Sequence, residues 1–230
     1  MLDIRAFTKP YFALGAVLVI VIQMVQFSMN IVLPMLFENG LKLSSLQAAL
    51  ILLPAVLVCS AMITISGRLY DRAGGKTLIP LGILLMCVFL FVLSRVHSST
   101  SIIIIALLNM GVYFGISLAW PPVQSNALRQ LPISSQAHGV AIINTFIQLG
   151  SALGTPLFIG LMTAGENAYL ANASLPHTSA ICTQALYRGF SHSVTVASIL
   201  IAIALLASLS LKVEKHQKVA SDNPAGTSRQ

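Results

Sequence analysis

The chain has 230 residues, of which 56% are hydrophobic and only 8% charged, with a formal net charge of +7. A soluble domain carries about 25% charged residues, so this composition cannot furnish a water-facing surface and excludes an ordinary soluble protein. The positive excess sits between apolar runs and beyond them, which points to membrane sidedness and not to nucleic acid.

A spanning helix needs about 20 apolar residues to cross a hydrocarbon core of about 30 Å. Residues 11–37, 46–66, 77–96, 101–123, 139–164 and 190–211 meet that requirement and predict six transmembrane helices. The first could be taken for a signal peptide flanked by Arg5 and Lys9, but it is too long and lacks a small-residue cleavage site. Six such runs joined by short polar links also leave no polar faces for a soluble bundle. All the acids (Asp3, Glu38, Asp71, Glu166, Glu214 and Asp222) are expected in loops or tails, as the cost of burying charge in lipid requires. The expected organisation is a lead-in over 1–10, a six-helix domain over 11–211 and a disordered polar tail over 212–230.

An even number of spans puts both termini on one side. Of the lysines and arginines, Lys42, Arg95 and Arg188 fall on the opposite side and all the others on the side of the termini. The positive-inside rule then makes both termini cytoplasmic.

Polar residues interrupt three spans at helical spacing. Gln23, Gln26 and Asn30 share a face of the first, Asn109, Tyr113, Ser117 and Trp120 a face of the fourth, and Asn144, Gln148 and Ser151 a face of the fifth. Any one of them is explained by hydrogen bonding between helices. As a set they point to a common wet interior, a path for bulky amphipathic compounds held by aromatic stacking and amide hydrogen bonds. Gly111/Gly115 and Gly150/Gly154 predict close helix packing. Cys59, Cys87 and Cys182 and the histidines show no metal-ligand spacing, and no catalytic constellation is apparent, so neither cofactor nor metal is expected. His138 lies at the inner end of the fifth span, where a proton-relay role competes with the simpler reading that bulk water is its partner.

The link between the second and third spans reads Gly67-Arg68-Leu69-Tyr70-Asp71-Arg72-Ala73-Gly74-Gly75-Lys76. As chemistry it is a tight turn: Gly74 and Gly75 can take positive φ, Asp71 can cap the next helix or pair with an arginine, and Gly67 can let helix ends approach. As a pattern it resembles the cytoplasmic-loop signature of the major facilitator superfamily, carried here by Gly67, Asp71, Arg72, Gly74 and Lys76. In that family the motif joins the second and third helices of each six-helix half and is thought to latch the halves during alternating access. The run from His138 through Asn144, Thr145 and Gln148 to Gly154 is similar to the penultimate helix of the fourteen-helix drug:proton antiporter branch of bacteria. Leu2-Asp3-Ile4-Arg5-Ala6-Phe7 and the stretch from Trp120 to Pro132 resemble the same branch. The fourth and fifth spans lack the membrane arginine and the Gly-Pro-rich motif of a first half.

The resemblance therefore implies an all-α membrane protein with the C-terminal half of a major facilitator fold. It also implies a multi-pass place in a bacterial cell membrane, and export of amphipathic compounds by proton antiport. The sequence departs from the branch in having six spans and in carrying Ile147 where many members have arginine. No carboxylate lies within the spans, so proton coupling is expected to come from an N-terminal half. The expected partners are membrane lipid, a small amphipathic substrate, and that half or a second copy of the chain. The competing expectation is a non-transporting remnant, or a partner of a full-length relative.

Overall fold

In a computed structural model the chain is described over residues 9–172 and 179–210, apart from the side chains of Asp71, Ala73, Ser134 and Ser179. The tail expected over 212–230 and the lead-in before Lys9 lie outside those residues. Among the described residues six α-helices form: α1 (Pro10–Met35), α2 (Ser45–Ala73), α3 (Gly75–Leu93), α4 (Ile102–Arg129), α5 (Ile133–Ala171) and α6 (Ser179–Leu209). All six contain a stretch long and apolar enough to cross a membrane. The expected all-α, six-helix membrane fold is therefore what the chain adopts.

The helices outrun the apolar stretches that predicted them. α1 starts with Pro10 in its first turn, a position that needs no amide hydrogen, and runs into a π-helical turn, Leu36–Gly40. A reversal follows at Lys42, a non-glycine residue at φ 56. Ser44 then starts α2 with a reciprocal cap: its hydroxyl accepts from the Gln47 amide, and its own amide donates to the Gln47 side chain. α5 has 39 residues, about 58 Å of helix, where 139–164 was expected. The link left between the expected spans 139–164 and 190–211 is thus helical over most of its described residues. Ala168, Leu170 and Ala171 favour helix, as does Glu166 itself, although Glu166 and Asn167 break the apolar run. Glu38 in the π turn, Asp71 in the last turn of α2 and Glu166 in α5 are helical, not in loops as expected. Pro34, Pro54, Pro80, Pro121, Pro122 and Pro156 all lie inside continuous helices.

The helices pack in two layers. α2, α4, α1 and α5 lie side by side in that order, and α3 and α6 pack behind them, α3 against α4 and α6 against α5. Small residues set the spacing. A Cβ on Gly82 would stand 2.6 Å from the Ala119 backbone nitrogen, and one on Gly115 2.7 Å from that of Met86, so α3 and α4 touch backbone to backbone. Gly15 meets Ala127 between α1 and α4. Gly154 meets the Met24 backbone between α1 and α5, and Gly189 the Met162 carbonyl between α6 and α5. The glycine pairs of α4 and α5 thus do serve close packing.

Gly154→Val is expected to destabilise the fold by about 1–3 kcal/mol, because its Cβ would sit 2.5 Å from the Met24 Cα. Gly160→Ala, with nothing within 4 Å, is expected to match the parent. The thermal midpoints of the detergent-solubilised variants check both.

Candidate functional site: a polar face on α1 and α4

The polar stripes of α1 and α4 meet. The Tyr113 hydroxyl donates to Asn30 Oδ1 at 2.5 Å, and Asn30 Nδ2 donates to the Gln26 carbonyl at 3.1 Å. Tyr113 is buried against Ala55 and Cys59 of α2, whereas Asn30 is exposed, so the hydrogen bond runs from the bundle to its surface. Tyr113 lies two residues from Gly115, about 200° around α4 from the face that meets α3. Asn109 lies one turn from Tyr113, and Trp120 is half-buried two turns beyond it. Ser117 is buried and donates to the Phe114 carbonyl at 2.7 Å, so it serves its own helix.

Two amides on these stripes are incomplete. Gln23 is 5% exposed and Asn109 2%, yet Gln23 Oε1 and Asn109 Oδ1 have no hydrogen-bond partner. A buried, unpaired carbonyl oxygen costs about 1–3 kcal/mol, a cost packing alone does not explain.

The α5 stripe does not join them. Asn144 and Gln148 are exposed, and Gln148 lies two residues from Gly150, about 200° around from the face that meets α1. Ser151 is half-buried and bonds to the Ile147 carbonyl of its own helix. Gln23 packs against Gly150 of α5. The expected single interior of three stripes is therefore, within this chain, the Asn30–Tyr113 contact of α1 and α4, Gln23 buried between α1 and α5, and a separate face on the flank of α5. Period alone cannot separate these, because it fixes a helical face but not the neighbour that face meets.

The loop motif also differs from its expected form. α2 continues to Ala73, and the reversal is made at Gly74 alone, at φ 75. Gly74, not Asp71, occupies the N-cap of α3, and Gly67 has nothing within 4 Å of a Cβ, so it permits no close approach here. Arg72 and Lys76 are exposed. Sequence reasoning passed over Tyr70. It is 7% exposed, packs with Leu78 and Leu118 of α3 and α4, and lies under the Arg129 guanidinium at 5.2 Å. An aromatic residue inside a charged link was the available signal.

Comparison with known proteins agrees with this architecture. Residues 3–155 match the model of the Major Facilitator Superfamily. The lincomycin resistance protein LmrB of Bacillus subtilis (strain 168) is 34% identical over 212 residues, covering 92% of this chain and 44% of that protein. The proteins of the same name from Listeria monocytogenes and Listeria innocua are each 34% identical over 215 residues, covering 94% of this chain and 45% of theirs. The chain thus spans about half the length of the curated relatives it matches. Six membrane-capable helices, half of a major facilitator fold, and these matches together place the chain in the major facilitator superfamily.

Proposed function

We propose that this chain is the C-terminal six-helix part of a multidrug exporter of the fourteen-helix drug:proton antiporter branch. It would sit in a bacterial cell membrane with both termini cytoplasmic and act with an N-terminal half. The observation that carries the reading is the Asn30–Tyr113 hydrogen bond, which joins two polar stripes into one face within apolar helices. That face offers amides and aromatic rings and no formal charge, which suits an amphipathic compound. Resistance to lincomycin, named for the LmrB relatives, supports a substrate of this kind.

In this reading Gln23, Gln26, Asn30, Asn109, Tyr113 and Trp120 line the path. The unpaired oxygens of Gln23 and Asn109 are acceptors for substrate or water. Asn144 and Gln148 complete the path from the flank, where the N-terminal half closes over them; bare amides facing lipid would otherwise be costly. Proton coupling comes from that half, since Glu38 and Glu166 lie at helix ends beyond the apolar stretches 11–37 and 139–164 and those stretches hold no carboxylate. Gly67, Asp71, Arg72, Gly74 and Lys76 form the cytoplasmic latch, and Tyr70 anchors it to α3 and α4.

The chain is to be expressed in drug-sensitive bacteria with and without the N-terminal part of the Bacillus subtilis protein, following efflux of lincomycin and ethidium. Energy-dependent efflux only with the partner is expected; no efflux from either, with both proteins in the membrane, would leave a non-transporting remnant. In the assembled pair, Tyr113→Phe is expected to raise the half-saturating drug concentration about fivefold, the value of one hydrogen bond of about 1 kcal/mol. Asp71→Asn is expected to abolish efflux at unchanged membrane abundance, while Leu69→Ala retains it. Full efflux by Asp71→Asn would remove the latch role.

A further inference from the structure

At the end of the bundle that carries the chain's start, a cleft of about 490 Å³ opens between the beginning of α1 and the α4–α5 connection. Its lining includes Lys9, Pro10, Tyr11, Arg129, Gln130 and Pro132. We propose that this cleft binds a phosphate-bearing anion, presented as the headgroup of an anionic phospholipid.

Three features point the same way. Lys9 and Arg129 supply two cations, and among the described residues that line the cleft none is acidic. Gln130 Nε2 is sealed from solvent and has no hydrogen-bond partner, a donor that gains only when an acceptor arrives. The starts of two long helices also converge on the cleft. α1 has 26 residues and α5 has 39, and neither N-terminus has a side-chain cap. The end of α4 meets them there, so the positive ends of two helix dipoles face the negative end of one, and the net contribution adds to that of the two side chains.

Phosphate suits this set better than a single-point acceptor, because several oxygens can accept from Lys, Arg and amide donors together. The depth suits a headgroup. The cleft adjoins Pro10 and Arg129, where two of the membrane-capable helices end, which is the level at which lipid phosphates lie. The Arg129 guanidinium is held over the Tyr70 ring, so an anion here touches the residue that packs against the loop motif. A bound headgroup would tie α1 to the α4–α5 connection and bear, through Arg129, on the α2–α3 link.

This binding is independent of transport and is read without it. The full chain, purified in non-ionic detergent, is examined by native mass spectrometry with short-chain phosphatidylglycerol, short-chain phosphatidylcholine or inorganic phosphate. Phosphatidylglycerol is expected to be retained in preference to phosphatidylcholine. Lys9→Gln is expected to weaken it about fivefold, the usual share of one interfacial cation. Gln130→Leu, which leaves the charge unchanged, is expected to weaken it too. Lys42→Gln, beyond the other end of α1, is expected to leave it unchanged. Competition by inorganic phosphate at equal concentration, lost in Lys9→Gln, would keep the phosphate site but assign it to the free anion. Equal retention of the two lipids by the parent chain would overturn the proposal. So would parent-like preference in both Lys9→Gln and Gln130→Leu.

Discussion

The close approach of helix backbones at glycine is the constraint on which the rest of this structure depends. In lipid, apolar side chains gain little by leaving an equally apolar solvent, so helices associate through tight packing and hydrogen bonds. Gly15, Gly82, Gly115, Gly154 and Gly189 each stand where a Cβ would collide with a neighbouring helix. They join α1 to α4, α4 to α3, α5 to α1 and α6 to α5. α2 lacks such a contact: its Gly67 faces open space, and it is held by side chains, among them Ser66, which donates to the Leu118 carbonyl. Accordingly only 17% of its apolar stretch is buried, against 56% for α1 and α4.

Once α1 and α4 are fixed at that distance, their polar residues have little freedom. On α4, Gly115 marks the face that meets α3, and Tyr113, about 40° around from Ala127 at the contact with α1, lies toward α1 and reaches Asn30. The face is thus a by-product of packing geometry, and its chemistry comes from which residues the sequence places there. α5 obeys the same logic with a different result: packing through Gly150 and Gly154 on α1 directs Gln148 outward. An apolar helix that presents amides on its flank calls for water or a second protein surface there.

Much of this was legible in the sequence, for identifiable reasons. Apolar length fixed the number of helices, and small-residue spacing marked the tight interfaces at Gly115 and Gly154. Helix ends were less legible. Residues 165–171 are polar enough to end an apolar run yet remain helical, because Gly165 and Gly189 let α5 and α6 keep packing beyond it. The loop over 67–76 read as a turn because of its glycines, but only Gly74 needed positive φ. Tyr70 was overlooked since its partners, Leu78 and Leu118, are remote in sequence until the fold brings them together. The stripes were found by periodicity, and their neighbours required the structure.

The claim that the α1–α4 face lines a water-filled path is tested most directly by thiol accessibility. Cys59, Cys87 and Cys182 are first replaced by alanine, and single cysteines are then placed at Asn30, Trp120, Leu57 and Leu153. The cysteine variants are expressed with the N-terminal partner and treated with a membrane-impermeant thiol reagent in inside-out vesicles. Labelling at positions 30 and 120, slowed by lincomycin, with none at 57 and 153, is the predicted result. Equal labelling at all four positions, or none at 30 and 120, would contradict it and leave the Asn30–Tyr113 pair as a bond that only holds helices together.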